Sequence, residues 1–197
     1  SWMWRRAPGF FDVTTFTGDA LDNKQVNHNL GVVPEMFWVK RRDSTSYGAV
    51  YHKDSQDLNY AQTYKKVLFL ESNAASTTTT PFRTDLVTAS SIAISNQYQL
   101  NENNGEYIVF LFASAAGISK VGSYTGTGSD IDVDCGFSNG ARFVLIKRED
   151  GSGDWYVWDS LRGIVAGNDP YFLLNSTAVQ VTNTDYIDPL SSGFTVT

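Results

Sequence analysis

Apolar positions recur with a period of two along nearly the whole chain. Val67-Leu68-Phe69-Leu70, Ile108-Val109-Phe110-Leu111-Phe112 and Val144-Leu145-Ile146 are short β-branched or aromatic runs bounded by turn residues, a pattern that predicts strands. Asp130-Ile131-Asp132-Val133-Asp134-Cys135 alternates strictly, as a strand with one wet face does. Asp43-Ser44-Thr45-Ser46 and Asp150-Gly151-Ser152-Gly153 lie between strands and read as tight hairpin turns, with Asp bonding its own backbone and Gly supplying positive φ. No window sustains a helical period with credible caps; the best candidate, Asp57 to Lys66, is short.

The strand pattern occurs twice. Phe16-Thr17-Gly18 returns as Tyr124-Thr125-Gly126 at an offset of 108, and Lys40-Arg41-Arg42-Asp43 returns as Lys147-Arg148-Glu149-Asp150 at 107. Leu68-Phe69-Leu70 lies under Phe172-Leu173-Leu174 at 104, so the length changes fall in between. Gly9 and Val13 match Gly117 and Val121. Self-similarity at a fixed period defines the folding unit, here about one hundred residues, the size of a small sandwich.

The predicted fold is therefore all-β, with two tandem antiparallel β-sandwich repeats of jelly-roll or immunoglobulin-like kind. Residues 1–9 read as the closing strand of a preceding repeat, because Trp2 and Trp4 fall under Phe110 and Phe112. Residues 10–116 form the first repeat. Residues 117–197 form the second, which lacks its last strand, since Phe194-Thr195-Val196-Thr197 matches only Ile92-Ala93-Ile94-Ser95. An edge left without its neighbour invites aggregation, and pairing with Trp2–Trp4, from the same chain or a neighbour, would relieve it. Ser76-Thr77-Thr78-Thr79-Thr80-Pro81 is a loop within the first repeat.

Composition narrows the functional classes. An apolar content of 42% with 14% aromatic residues supplies ample core, so a disordered chain is excluded. A net charge of −6 argues against nucleic acid or an anionic membrane as partner. No apolar run is long enough for a membrane helix, and Trp2-Met3-Trp4-Arg5-Arg6 has the wrong order for a signal peptide. The single cysteine, Cys135, excludes an internal disulfide and a cysteine metal cluster, and no cofactor is expected.

Three constellations carry candidate chemistry. Asp130, Asp132 and Asp134 set three carboxylates along one strand face, a weak metal candidate; the first repeat has Asn23, Gln25 and Asn27 there, which favours a solvated face. Trp155-Tyr156-Val157-Trp158-Asp159 lies under Gly48-Ala49-Val50-Tyr51-His52. Val157, matched by Val50, belongs to the core. Trp155 and Tyr156 replace Gly48 and Ala49, so the unit folds without those rings. Together with Asp154, Asp159, Lys147 and Arg148, Trp155, Tyr156 and Trp158 make a candidate glycan platform, in which rings cover sugar C–H faces while charged groups take hydroxyls or acids. The alternatives are a wider core or an inter-repeat contact for the rings, and charged strand ends that protect an edge for Lys147 and Arg148. Catalysis has no clear seat: Cys135 lies on the apolar phase of its strand, and His52 with Asp54 has no nucleophile at motif spacing, so an enzyme is not expected.

Several phrases resemble a repeated module of phage structural proteins. They are Trp2-Met3-Trp4-Arg5-Arg6-Ala7-Pro8-Gly9-Phe10-Phe11-Asp12-Val13, Phe16-Thr17-Gly18, His28-Asn29-Leu30-Gly31-Val32-Val33-Pro34-Glu35-Met36 with Val39-Lys40-Arg41-Arg42, Val121-Gly122-Ser123-Tyr124-Thr125-Gly126, and Trp155-Tyr156-Val157-Trp158-Asp159. The module occurs in tail-fibre and virion-appendage proteins of marine bacteriophages, cyanophages among them, often downstream of a concanavalin-like lectin domain. The resemblance covers essentially the whole chain. It implies β-sandwich modules in a homotrimeric appendage of the virion that meets host-cell surface glycans outside the producing cell, and it carries over no catalytic residues. A spacer that binds only its neighbours is the first alternative, and a polysaccharide depolymerase with two facing carboxylates the second.

Overall fold

A computed structural model describes residues 3–55, 66–77 and 82–197. The protein is all-β, built from several antiparallel sheets, with no closed barrel among the described residues. The first half carries β1 (Phe11–Thr17), β2 (Lys24–Asn27), β3 (Met36–Arg41), β4 (Ala49–His52), β5 (Leu68–Phe69), β6 (Ser91–Ile94) and β7 (Glu106–Phe112). The second carries β8 (Ile131–Asp134), β9 (Phe143–Lys147), β10 (Trp155–Asp159), β11 (Phe172–Leu173), β12 (Ile187–Leu190) and β13 (Gly193–Val196). One sheet runs β1-β7-β3-β4-β5, and β2 pairs with β6; a second sheet runs β11-β10-β9, and a third β12-β13-β8.

Three strand pairings of the first half recur in the second with the same register. Lys24 faces Ile94 as Ile131 faces Val196, and Val26 faces Ile92 as Val133 faces Phe194. Met36 faces His52 as Phe143 faces Asp159, while Val50 faces Leu68 as Val157 faces Phe172. The pattern of apolar residues thus specifies pairing twice over, because a slip by one residue would turn each core set to the wrong face.

Burial explains why some strands read as continuous apolar runs. In β7, Tyr107, Val109 and Leu111 enter a first core with Phe37, Val39, Ala49 and Tyr51, closed by Val26, Ile92 and Ile94 of the β2–β6 pair. The alternate residues Phe110 and Phe112 enter a second core with Met36, Trp38 and Val50, met from the second half by Leu145 and Trp155. A sheet buried on both faces needs no polar alternation. A third core joins Val144, Ile146, Tyr156 and Trp158 of the β9–β11 sheet to Val133, Val196, Phe194 and Ile187. The sheets therefore stack with three apolar layers between them, and the middle layer fuses the halves.

The turns differ from expectation. The strand pairs nearest them are Val39 with Ala49 and Lys147 with Trp155, so the connections are loops rather than tight hairpin turns. Each loop is braced locally, by Arg41 on Asp43 and by Arg148 on Asp150. Charged side chains satisfy these longer loops where two-residue turn geometry would not fit. The expected helical segment 57–66 lies, but for Lys66, outside the described residues, as do residues 78–81 of the Thr-rich loop. One short helical turn, α1 (Tyr98–Asn101), has no sequence signal; it presents Asn101, which is buried and donates to Asp19 Oδ1 at 3.0 Å and to the Leu21 carbonyl at 2.7 Å. Among the described residues no helix is long and apolar enough to cross a membrane.

Candidate functional site

The sequence singles out β10 and its flanks. Alternation along β10 sends Trp155 toward the middle core and Tyr156 and Trp158 toward the third. Trp155 is 3% exposed, and its indole N–H donates to the Phe69 carbonyl of the other half at 2.9 Å. Trp158 is 3% exposed, stacked on Tyr156 at 5.7 Å, and its indole N–H has no hydrogen-bond partner among the described residues. Neither tryptophan turns a ring face to solvent.

The position of Trp155 has a clear local cause. At the matching Gly48, an added Cβ would meet Leu70 Cδ1 at 2.9 Å, because Leu70 folds over the glycine. Trp155 fills that space itself, and Leu174, the counterpart of Leu70, is left 41% exposed.

The charged members do not converge on one point. Asp154 accepts from Asn175 Nδ2 at 2.8 Å, while Asn175 Oδ1 accepts the Trp155 amide at 2.9 Å, which fixes the start of β10. Asp159 is buried, accepts the amides of Leu161 and Arg162 at 3.1 and 3.0 Å, and pairs with the Arg162 guanidinium, so it caps the turn that ends the strand. Lys147 donates to the carbonyls of Ala74 at 2.9 Å and Arg148 at 2.6 Å, and burial holds its ammonium below the usual lysine range. Arg148 stays at the surface with Asp150. Gly153 N–H donates to Asn73 O, Ser76 N–H to Glu149 O, and Ser55 Oγ to Glu149 Oε1 at 2.7 Å. The 148–154 loop is thus a clasp on residues 55 and 69–77 of the first half.

Sequence reading missed Tyr171 and Tyr186. They assemble with Tyr156 and Trp158 into an aromatic cluster, with Tyr171 to Tyr186 at 5.7 Å and Tyr156 to Tyr171 at 5.2 Å. Tyr171 is buried and Tyr186 is 42% exposed, so the cluster opens to solvent at Tyr186. Burial pushes the Tyr156 hydroxyl up, with nearby Asp154 adding to it. The comparison that flags Trp155 would have flagged Tyr171, which falls under Val67.

Most of the remaining candidates are engaged in local contacts. Asp132 accepts from Thr195 Oγ1 at 2.7 Å and Asp134 from the Gly136 amide at 2.8 Å. No group of three His, Cys, Asp or Glu comes together to hold a metal ion among the described residues. His28 Nδ1 accepts the Leu30 amide and His52 Nδ1 the Asp54 amide, so each histidine closes its own turn. Burial pushes the half-buried Cys135 thiol up, away from thiolate chemistry.

With this geometry in hand, residues 6–197 match the family described as a domain of unknown function, DUF7483, and the chain belongs to that family. No curated protein and no solved structure is similar enough to match.

Proposed function

We propose that this chain is a structural module of a virion appendage of the phage tail-fibre kind, built as two tandem β-sandwich repeats fused back to back. The observation that supports this best is the use of Trp155: the aromatic that sets the second repeat apart from the first packs into the contact between them and donates across it. A rod needs a stiff joint between modules, and an apolar joint tied by hydrogen bonds supplies one. The clasp of the 148–154 loop adds polar contacts at the rim of the same joint. The acids of the candidate platform hold turns and strand ends, which supports a scaffold over a depolymerase. The module associates with copies of itself, as a trimer in the fibre.

Attachment to host-surface glycans is the second reading, favoured by the Tyr156–Tyr171–Tyr186 cluster opening beside Asp154. A planar ring at the surface with a carboxylate nearby suits weak sugar contacts that three copies per fibre would multiply. The test is binding of the folded chain to bacterial surface glycans alongside Tyr186→Ala. Binding abolished in a variant of unchanged melting temperature establishes attachment at this cluster; absence of binding by the intact chain leaves the scaffold role alone. The scaffold itself is tested by scattering and electron microscopy. Rod-like assemblies of stable trimers are expected, and a dispersed monomer at high concentration would overturn it.

A further inference from the structure

The pairings of β7 are the ones that do not recur. In the first half β7 lies between β1 and β3, with Phe11 and Met36 both opposite Phe112, and Phe16 stacked on Tyr107 at 4.8 Å. The counterpart of β3 is β9, and the counterpart of β1 is the segment 119–125. Among the described residues no strand lies between them: the sheet ends at β9, and residues 120–125 carry no ladder pairing. Tyr124, the counterpart of Phe16, is 39% exposed where Phe16 is covered by a ring.

Trp4 shows which polypeptide is aimed at this gap. It falls under Phe112, and its ring lies 5.5 Å from that of Phe143, the counterpart of Met36. The turn that follows Trp4 is closed by a bridge between Ala7 and Phe11; the turn that follows β7 is closed by a bridge between Ala115 and Ser119, at the same offset of 108. The two turns are thus closed by the same hydrogen bonds, although only the second follows a strand in the described residues.

We propose that β9 and residues 119–125 form an acceptor slot for one β-strand of the β7 type. Its occupant is the protein's own polypeptide on the N-terminal side of the 7–11 turn, antiparallel to β9 with Trp4 opposite Phe143. The slot selects by alternation: one set of donor side chains joins the third core as Tyr107, Val109 and Leu111 join the first, and the other joins the middle core as Phe110 and Phe112 do. An aromatic at the place of Tyr107 stacks on Tyr124. Ladder hydrogen bonds supply the affinity and the two apolar faces the register, as in strand addition at a sheet edge.

The experiment adds Glu-Tyr-Ile directly before Ser1, which copies Glu106-Tyr107-Ile108 in register, and compares amide exchange with the 197-residue chain. Protection at 119–125 and in β9 is expected to rise at least tenfold, with β2 and β6 unchanged, and acetylation of Tyr124 by N-acetylimidazole to slow. Glu-Pro-Ile, which cannot donate to the ladder at its centre, should reproduce neither effect and leaves the folded body untouched. Unchanged exchange at 119–125 in a folded monomer carrying Glu-Tyr-Ile overturns the proposal. So does protection that appears only with concentration-dependent dimerisation, which would make a second copy the occupant.

Discussion

At the scale of single residues, β10 shows how an aromatic addition can serve packing. Trp158→Ala removes a buried ring from the third core and should cost about 3–5 kcal/mol. Trp158→Phe should cost less, because the indole N–H it deletes has no partner among the described residues. Urea unfolding monitored by circular dichroism separates the two; equal losses would mean the N–H is bonded in solution. Trp155→Phe deletes the donor to the Phe69 carbonyl and should cost about 1 kcal/mol beyond its change in volume. The fate of these rings was half legible in the sequence. Alternation assigned Trp155 and Trp158 to opposite faces, and both faces proved to be cores. What alternation along one strand could not show is that a sheet packs on each side, since that depends on residues such as Trp38 and Phe194 brought in from distant strands.

At the scale of elements, the 148–154 loop and its docking site form the sharpest difference between the halves. Glu149 accepts from Ser55 Oγ and Ser76 Oγ, and Ser55 is buried. Glu149→Ala should destabilise by about 1–2 kcal/mol, while Glu149→Gln, which keeps an acceptor, should retain most of the stability. Exchange at residues 69–77 should quicken in the alanine variant; a loss of stability without quicker exchange there would refute the clasp. A second element-level constraint sits at Gly193, where an added methyl group would overlap the Val133 carbonyl oxygen and push β13 off β8. Gly193→Ala should therefore destabilise by about 1–3 kcal/mol or more, read as a lower urea midpoint. Several strands were legible because an apolar period of two is a local property, whereas their pairings rest on contacts between distant segments. The loop lengths and the α1 turn were not, because Asn101 earns its place through bonds to residues 19 and 21, some eighty positions away in sequence.

At the scale of the whole molecule, the middle core predicts one cooperative transition, since neither half keeps its apolar faces covered without the other. Calorimetry should show a single peak, and Trp155→Gly, which copies Gly48, should broaden or split it. Stability should also fall in two stages with acid. His28 and His52 are both held below the usual histidine value of 6.5 by burial, so each favours the fold in its neutral form. That contribution is complete above pH 6.5 and is lost as pH drops through the lowered folded values, at no more than about 1.4 kcal/mol per pH unit for each proton taken up. A later stage belongs to carboxylates such as Asp19, held at about 2 chiefly by its hydrogen bond to Lys24; its contribution is present above 3.8 and is lost as pH falls toward 2. Asp169 works in the opposite sense, since burial raises it. Melting temperatures across pH 8 to 3 should trace both stages, and His28→Gln should flatten the first.

The meeting of matched faces has a historical reading. Met36, Trp38 and Val50 of one half lie across the middle core from Leu145, the counterpart of Trp38, and from Trp155. Two identical ancestors joined by one surface would form such a contact about a twofold axis, each offering the same patch to the other. Gene duplication would then have tied a homodimer into one polypeptide, and only afterwards could the two copies drift apart, one keeping a glycine under a leucine and the other gaining an indole. Symmetry broken in this way leaves each copy free to specialise while the shared seam keeps both folded.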